Sequence, residues 1–230
     1  MVTREPVADA VANVRVRIAR AAERSDRDPN SIRLVAVTKG VETGSIREAI
    51  AAGVHDIGEN RVQEAQRKRR ELHDDANWHL VGHLQTNKAK LAASLFDAVH
   101  SVDSERVAGE LAVHRPIDAQ PLAALIEVEL TGRPERTGAP PGKAGAVLRA
   151  AVGLPGVHVL GLMTIAPHTG DEYAVRAHFA EVRKLRDSLE QATGWPLPEL
   201  SMGMTDDFEI AIEEGATMVR IGRGIFGSRV

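Results

Sequence analysis

The 230-residue sequence contains no cysteine, no long apolar run and no excess of positive charge. The lack of cysteine excludes disulfides, thiolate zinc sites, iron–sulfur clusters and cysteine nucleophiles. No apolar stretch approaches the roughly 20 residues that span a bilayer, and the charged start at residues 1–5 is unlike a signal peptide. With 29 Lys and Arg against 32 Asp and Glu, a protein built mainly to bind nucleic acid is disfavoured. We predict a cytoplasmic globular protein that contacts neither membrane nor nucleic acid.

Strand-like and helix-like segments alternate along the chain. Eight short apolar runs are typical of buried strands, at residues 34–38, 55–58, 78–81, 98–102, 122–128, 157–163, 199–202 and 218–221. Segments with helical spacing lie between them, and an extra helix over about 6–24 precedes the first strand. Repeated strand–helix units predict a parallel sheet. Eight units favour a single (β/α)8 TIM barrel over 1–230, with an open doubly wound sheet as the alternative.

In such barrels the chemistry lies where strands end, so residues at strand ends are the candidates for function. Lys39 directly follows the first strand. We expect its amine at the barrel mouth, partly buried, because burial favours the neutral amine that acts as a nucleophile and forms a Schiff base. A solvated or ion-paired lysine is the alternative.

The last strand leads into a glycine-rich turn at Gly222, Gly224 and Gly227. Glycines let the backbone approach an anion closely, which predicts a phosphate site; a simple turn is the alternative. Thr205 and the two residues after it resemble a helix N-cap near the same site. The GxGxxG spacing at 222–227 is judged spurious, because we expect no helix to follow it.

Arg220, two residues before that turn, is expected to point into the barrel. A buried guanidinium needs a partner and can only donate hydrogen bonds. Opposite a pyridine nitrogen it would keep that nitrogen unprotonated, and a salt bridge with Glu59 or Glu127 is the alternative.

Two other patterns are given little functional weight. His79 and His83 are four residues apart, but His79 lies in a predicted strand, so we expect no metal site. The basic run at 67–70 is interpreted as a solvated outer helix face, although an interaction surface there stays open.

Six strings together resemble the pyridoxal phosphate homeostasis family, also called the YggS/PROSC family. They are LVAVTK at 34–39, GENRVQE at 58–64, WHLVGHLQTNK at 78–88, GLMT at 161–164, LSMGMTDD at 200–207 and VRIGRGIFG at 219–227. They run in family order and cover nearly the whole chain. The resemblance implies the barrel of the alanine racemase N-terminal domain, with pyridoxal 5′-phosphate (PLP) bound as an imine on Lys39.

The resemblance also assigns the remaining site residues. Thr205, Gly222 and the backbone of Arg223 would hold the phosphate, with Ser201 and Met204 nearby. Arg220 would meet the pyridine nitrogen, and Asn60 would lie close to the ring. The sequence departs from the family where Thr205 replaces a common serine, Arg61 a frequent tyrosine and Arg136 a frequent lysine.

The same resemblance bears on catalysis. Related racemases use a lysine, a tyrosine from a second domain and a ring-stacking histidine. Here the chain ends soon after Gly227, Ile165 stands at the histidine position, and the one tyrosine, Tyr173, is predicted to begin an outer helix. We therefore expect a monomeric PLP-binding protein of vitamin B6 homeostasis that affects amino-acid pools, with PLP-dependent apo-enzymes as candidate partners. A racemase-like enzyme is the alternative, and a PLP-independent enzyme acting on a phosphorylated metabolite is a further one.

Overall fold

A computed structural model of the protein describes residues 5–72, 76–133 and 135–227. Its strands are β1 Arg33–Val37, β2 Asp56–Glu59, β3 Asn77–Leu80, β4 Ala98–Val102, β5 Leu122–Glu127, β6 Val157–Met163, β7 Glu199–Ser201 and β8 Met218–Ile221. Its helices are α1 Val7–Arg24, α2 Thr43–Ala51, α3 Val62–Leu72, α4 Ala89–Leu95, α5 Glu105–His114, α6 Pro141–Val152, α7 Glu172–Thr193, α8 Phe208–Glu213 and α9 Arg223–Phe226. Within the described ranges, no helix is both long and apolar enough to cross a membrane.

The eight strands pair in chain order and close into a parallel barrel. β1 joins the two ends of the sheet: Ala36 pairs with Ile57 of β2 on one side and with Ile221 of β8 on the other. This closure confirms the predicted (β/α)8 barrel over the open sheet. All eight predicted strands are present, and each of their ends lies within one residue of the prediction.

The predicted extra helix, α1, packs on the outside of the barrel. Val7, Val11, Val14 and Ile18 form its buried face, with the three- and four-residue spacing of an amphipathic helix. On its other side Arg17 stacks over the ring of Phe208 at 4.5 Å. The helix therefore covers apolar surface between the outer helices and leaves the barrel mouth open.

The prediction that no helix follows the glycine string 222–227 falls on residues 228–230, which lie outside the described residues, but a short helix lies within the string itself. Residues Arg223–Phe226 form one helical turn, in which the N–H groups of Ile225 and Phe226 donate to the Gly222 carbonyl at 3.0 and 2.9 Å. A single turn needs only four residues, so few residues are required after Gly222. The helix begins at the barrel mouth, directly after β8.

Candidate functional site

A cavity of about 590 Å³ opens at the carboxyl-terminal end of the barrel. It lies between the ends of β1, β2, β3 and β8 and the loops that follow β6 and β7. Seven of the eight predicted site residues line it: Lys39, Asn60, Met204, Thr205, Arg220, Gly222 and Arg223. These residues are far apart in sequence, and the barrel brings them together because parallel strands end at one rim.

Lys39 lies at the rim of this cavity, two residues after the end of β1. The residue as a whole is exposed, and partial burial of its amine stays a prediction. The neighbouring Thr38 is fully buried, and its hydroxyl donates to Glu59 Oε1 at 2.6 Å. Lys39 therefore extends from a fixed strand end into a solvent-accessible cavity.

A buried ion pair lies directly beneath this strand end. Lys68 Nζ donates to the Thr38 carbonyl at 2.5 Å and to carboxylate oxygens of Glu59 and Glu64 at 2.7 Å each. Burial raises the pKa of Glu59, and the hydrogen bonds from Lys68 and Thr38 oppose that rise. The pair ties α3 to β1 and β2, and so holds the backbone that carries Lys39.

The solvated outer face predicted for 67–70 is therefore wrong at Lys68, which is fully buried. Its place follows from helical spacing, because Val62, Ala65 and Leu72 are buried on the same face of α3. That spacing can be recognised in the sequence, but Lys68 stands in a run of basic residues, which is typical of a solvated helix face.

The glycine turn after β8 forms one side of the cavity. A Cβ atom at Gly222 would lie 3.3 Å from the Val37 carbonyl oxygen, and one at Gly224 would lie 2.9 Å from Ile221 Cγ2. Thr205 Oγ1 accepts a hydrogen bond from the Gly224 N–H at 3.2 Å, which joins this turn to the loop after β7. The cavity is thus bounded here by backbone and one hydroxyl.

The other residues predicted for this end of the site lie close by. The Arg223 guanidinium forms an exposed ion pair with Asp206, which also lines the cavity. The Met204 side chain is 39% exposed, and its N–H donates to Asp207 Oδ1 at 2.6 Å. Arg223 and Met204 therefore border the cavity, with the Arg223 charge paired with Asp206.

Arg220 is 4% exposed and lies at the inner end of the cavity. Its Nη1 donates to Ser201 Oγ and its Nη2 to the Thr164 carbonyl, both at 2.7 Å. Burial lowers the pKa of Arg220 to about 10, with the charges of Asp207 and Glu127 acting in the opposite direction, so it remains a cation at neutral pH. These two bonds use two of its five N–H donors.

Glu59 and Glu127, the two alternative salt-bridge partners of Arg220, form hydrogen bonds with other residues. Glu59 accepts hydrogen bonds from Lys68 and Thr38, and Glu127 accepts one from Thr137 at 2.9 Å. Ser201, the eighth predicted residue, is fully buried and lies one hydrogen bond behind Arg220.

Asn60 follows β2 and is half-buried at the cavity wall. Its Oδ1 is buried and has no hydrogen-bond partner within the described part of the chain. The backbone of Asn60 is closely packed, since a Cβ atom at Gly82 would lie 2.4 Å from its carbonyl oxygen. The cavity wall thus contains a buried acceptor whose hydrogen-bonding capacity is not used within the described residues.

The sequence interpretation missed the wall formed by the loop after β6. Residues 165–170 line the cavity, and Arg136 in the β5–α6 loop donates to the Ile165 carbonyl at 2.7 Å. Pro167 and His168, four and five residues after a predicted strand, were the available signal. Tyr173 begins the outer helix region as predicted and is 83% exposed.

Residues 11–230 match the family model described as alanine racemase, N-terminal domain. Curated proteins named pyridoxal phosphate homeostasis protein are similar over nearly their full length. The one from Pseudomonas aeruginosa is 42% identical, covering 97% of this chain and 96% of the relative. The one from Aquifex aeolicus is 40% identical, covering 96% and 97%.

Solved structures are similar in fold. PipY of Synechococcus elongatus without PLP has a TM-score of 0.86 at 38% identity, covering 96% of this chain and 100% of PipY. PipY with PLP bound has a TM-score of 0.80 at the same identity and coverage. Alanine racemase from Corynebacterium glutamicum, at 17% identity and a TM-score of 0.73, covers 96% of this chain and 62% of the racemase, and shares the barrel. The chain belongs to the pyridoxal phosphate homeostasis family, within the alanine racemase N-terminal domain group.

Proposed function

We propose that this protein binds PLP as an imine on Lys39 and takes part in the cellular homeostasis of PLP, with secondary effects on amino-acid pools. The observation that carries the proposal is the cavity itself. It combines a lysine amine, a hydroxyl-and-glycine rim and a buried arginine, which match the aldehyde, the phosphate and the ring nitrogen of PLP. The PLP-bound relative PipY supports the same ligand.

Each group has a role that follows from its chemistry. Lys39 would hold PLP as an imine, in which a C=N bond from Nζ to the aldehyde carbon replaces the C=O bond and the oxygen leaves as water. The Thr205 hydroxyl and the N–H groups of Gly222 and Arg223 would hold the phosphate, because glycine permits close backbone approach. The unpartnered Oδ1 of Asn60 would accept a hydrogen bond from the ring substituent beside the aldehyde. PLP supplies an electron-withdrawing ring when bound.

Arg220 favours binding over catalysis. A guanidinium donates but cannot accept, so it leaves the ring nitrogen unprotonated and the ring a weaker electron sink. Tyr173, 83% exposed, and Ile165, at the position where racemases have a stacking histidine, also favour a carrier. The curated relatives carry the name of a homeostasis protein and not that of an enzyme.

The test is the absorbance spectrum of purified protein mixed with PLP, before and after borohydride. We expect a near-visible band that collapses on reduction in the wild type and in Lys90→Ala, an exposed lysine on α4, and that is absent in Lys39→Ala. A reducible band of wild-type strength in Lys39→Ala would overturn the imine. Racemisation of an L-amino acid at ordinary turnover, about 1–1000 per second, would show an enzyme instead.

The proposed partners and assembly are tested separately. If the protein delivers PLP to PLP-dependent apo-enzymes, the loaded protein should restore activity to such an apo-enzyme faster than its release of PLP into solution allows. Equal rates would argue against direct transfer. Sedimentation of a 24.8 kDa species would support the proposed monomer.

A further inference from the structure

Five polar side chains form a continuous hydrogen-bonded chain through the barrel interior. Asp56 Oδ1 lies 2.9 Å from His79 Nε2, His79 Nδ1 lies 2.9 Å from His100 Nε2, and His100 Nδ1 lies 2.9 Å from Ser201 Oγ. Arg220 Nη1 completes the chain at 2.7 Å from Ser201 Oγ. The two imidazole rings meet edge to face, with centroids 5.1 Å apart. The chain links the first residue of β2 to the arginine at the inner end of the cavity.

Burial makes this arrangement expensive unless every member is satisfied. His100 and Ser201 are fully buried, and His79 and Arg220 are 3% and 4% exposed. An unsatisfied polar group at such depth is destabilising, because it has lost its hydrogen bonds to water. The chain runs from β2 to β8 through side chains of β3, β4 and β7. Apolar side chains would fill the same space at a lower cost in free energy. We therefore expect the chain to have a role beyond packing.

If both imidazoles are neutral, the chemistry of the two ends gives every hydrogen bond one direction. Arg220 can only donate, so Ser201 Oγ accepts from it. Asp56 as a carboxylate only accepts, so His79 then carries its proton on Nε2 and accepts at Nδ1. His100 must then donate from Nε2 and accept at Nδ1 from the Ser201 hydroxyl. All four bonds point from the cation toward the anion.

The charge states of His100 and Asp56 that this direction requires are supported by the surroundings. Burial lowers the pKa of His100 well below its ordinary value, and the positive charge of Arg220 acts in the same direction, so His100 is neutral. Burial alone would raise the pKa of Asp56, but the hydrogen bond from His79, with Asn77 and the charge of Arg33, lowers it overall. Asp56 is thus an anion at neutral pH.

We infer that Asp56, His79, His100 and Ser201 are positioning residues that hold Arg220 toward the ring nitrogen of PLP; we call this chain the Asp56–Arg220 relay. Bonds aligned in one direction polarise one another, so the Asp56 charge strengthens the acceptor that Ser201 offers to Arg220. Ser201 fixes one Nη of Arg220, and the Thr164 carbonyl fixes the other. The orientation of the planar guanidinium, and so of its remaining N–H donors, therefore depends on the relay. The identity of the ligand rests on the proposed function, whereas the direction of the relay does not.

The relay is tested first in protein without PLP, by 15N NMR of labelled histidine and arginine. We expect His79 and His100 to show protonated Nε2 and unprotonated Nδ1, and Arg220 to give resolved, slowly exchanging Nη signals. A protonated Nδ1 on either histidine would overturn the assigned direction. Asp56→Asn should broaden the Arg220 signals, and Asp97→Asn should leave them unchanged. Asp97 is a matched control, since its carboxylate accepts from the Trp78 N–H at 2.8 Å outside the relay.

The second test measures the consequence for PLP. We expect Ser201→Ala to weaken PLP binding about tenfold, the worth of one hydrogen bond to a charged group, and Asp56→Asn to weaken it less. Both should shift the absorbance maximum of bound PLP, whereas Asp97→Asn should match the wild type. Unchanged affinity and spectrum in both relay variants would overturn the positioning role. If wild-type protein bound no PLP while the NMR result held, the proposed function would fail and the relay would stand.

Discussion

The buried ammonium of Lys68 offers the sharpest test of how the site is held. Lys68→Met keeps an unbranched side chain of similar length and removes the charge that faces Glu59, both groups being fully buried. Breaking a buried ion pair by removing one partner costs about 3–5 kcal/mol, because the other charge is left uncompensated. Three hydrogen bonds of 2.5–2.7 Å are lost together, so we expect the upper part of this range.

A neighbouring pair on the same helix provides the control. Arg67 and Glu71 are 3.6 Å apart with side chains 57% and 42% exposed, so Arg67→Met should cost no more than about 0.5 kcal/mol. Urea unfolding measures both variants, and an unchanged dependence on urea shows that stability alone changed. A loss below about 1 kcal/mol for Lys68→Met would refute the reasoning, because such a value is that of a solvated pair.

A double variant distinguishes the lost interaction from general damage to the fold. In Lys68→Met with Glu59→Gln, the stranded charge is removed as well, so the double variant should be more stable than Lys68→Met alone. Because Lys68 also binds the Thr38 carbonyl, Lys68→Met should weaken PLP binding at the adjacent Lys39. Additive losses in the double variant would mean that the two residues do not interact.

Three further predictions concern the site and the core. Thr205→Val, which keeps shape but loses the hydroxyl, should weaken PLP binding about tenfold while Thr205→Ser stays near wild type, as an absorbance titration would show; equal affinities would exclude a phosphate contact. Gly82→Ala should lower the free energy of unfolding in urea by about 1–3 kcal/mol, since its Cβ would meet the Asn60 carbonyl oxygen at 2.4 Å, and an unchanged value would contradict that close approach. The folded-state pKa of His100 is lowered, so below about pH 6.5 the unfolded protein binds more protons than the folded protein. The free energy of unfolding should therefore fall as the pH drops further, by up to about 1.4 kcal/mol per pH unit. A His100→Asn variant should lack that part of the pH dependence, and an identical dependence would show that His100 is protonated in the fold.

The barrel and the place of the site could be predicted because both depend on local pattern. Alternating apolar runs and helical spacing indicate the strand–helix units, and closure then places every strand end at one rim. Lys39, Asn60 and Arg220 meet there for that reason alone. Their assignment to parts of one ligand came from the family resemblance, since the residues by themselves left alternatives open.

The features that escaped prediction depend on three-dimensional register. His79 and His100 lie in different strands, and their contact follows from how neighbouring strands are staggered in the closed sheet. Lys68 belongs to a run of basic residues, and its burial depends on how α3 packs against the barrel. The exposure of Lys39 also depends on three-dimensional structure, because it is set by the loops that surround the cavity beyond the end of β1.

The central claim is that one amine, that of Lys39, captures PLP. The most direct measurement is borohydride reduction of the PLP-treated protein followed by peptide mass spectrometry. We predict a reduced pyridoxyl group on the peptide containing Lys39 and on no other lysine in comparable amount. An adduct spread over exposed lysines such as Lys90, or a Lys39 peptide of unchanged mass, would contradict the account.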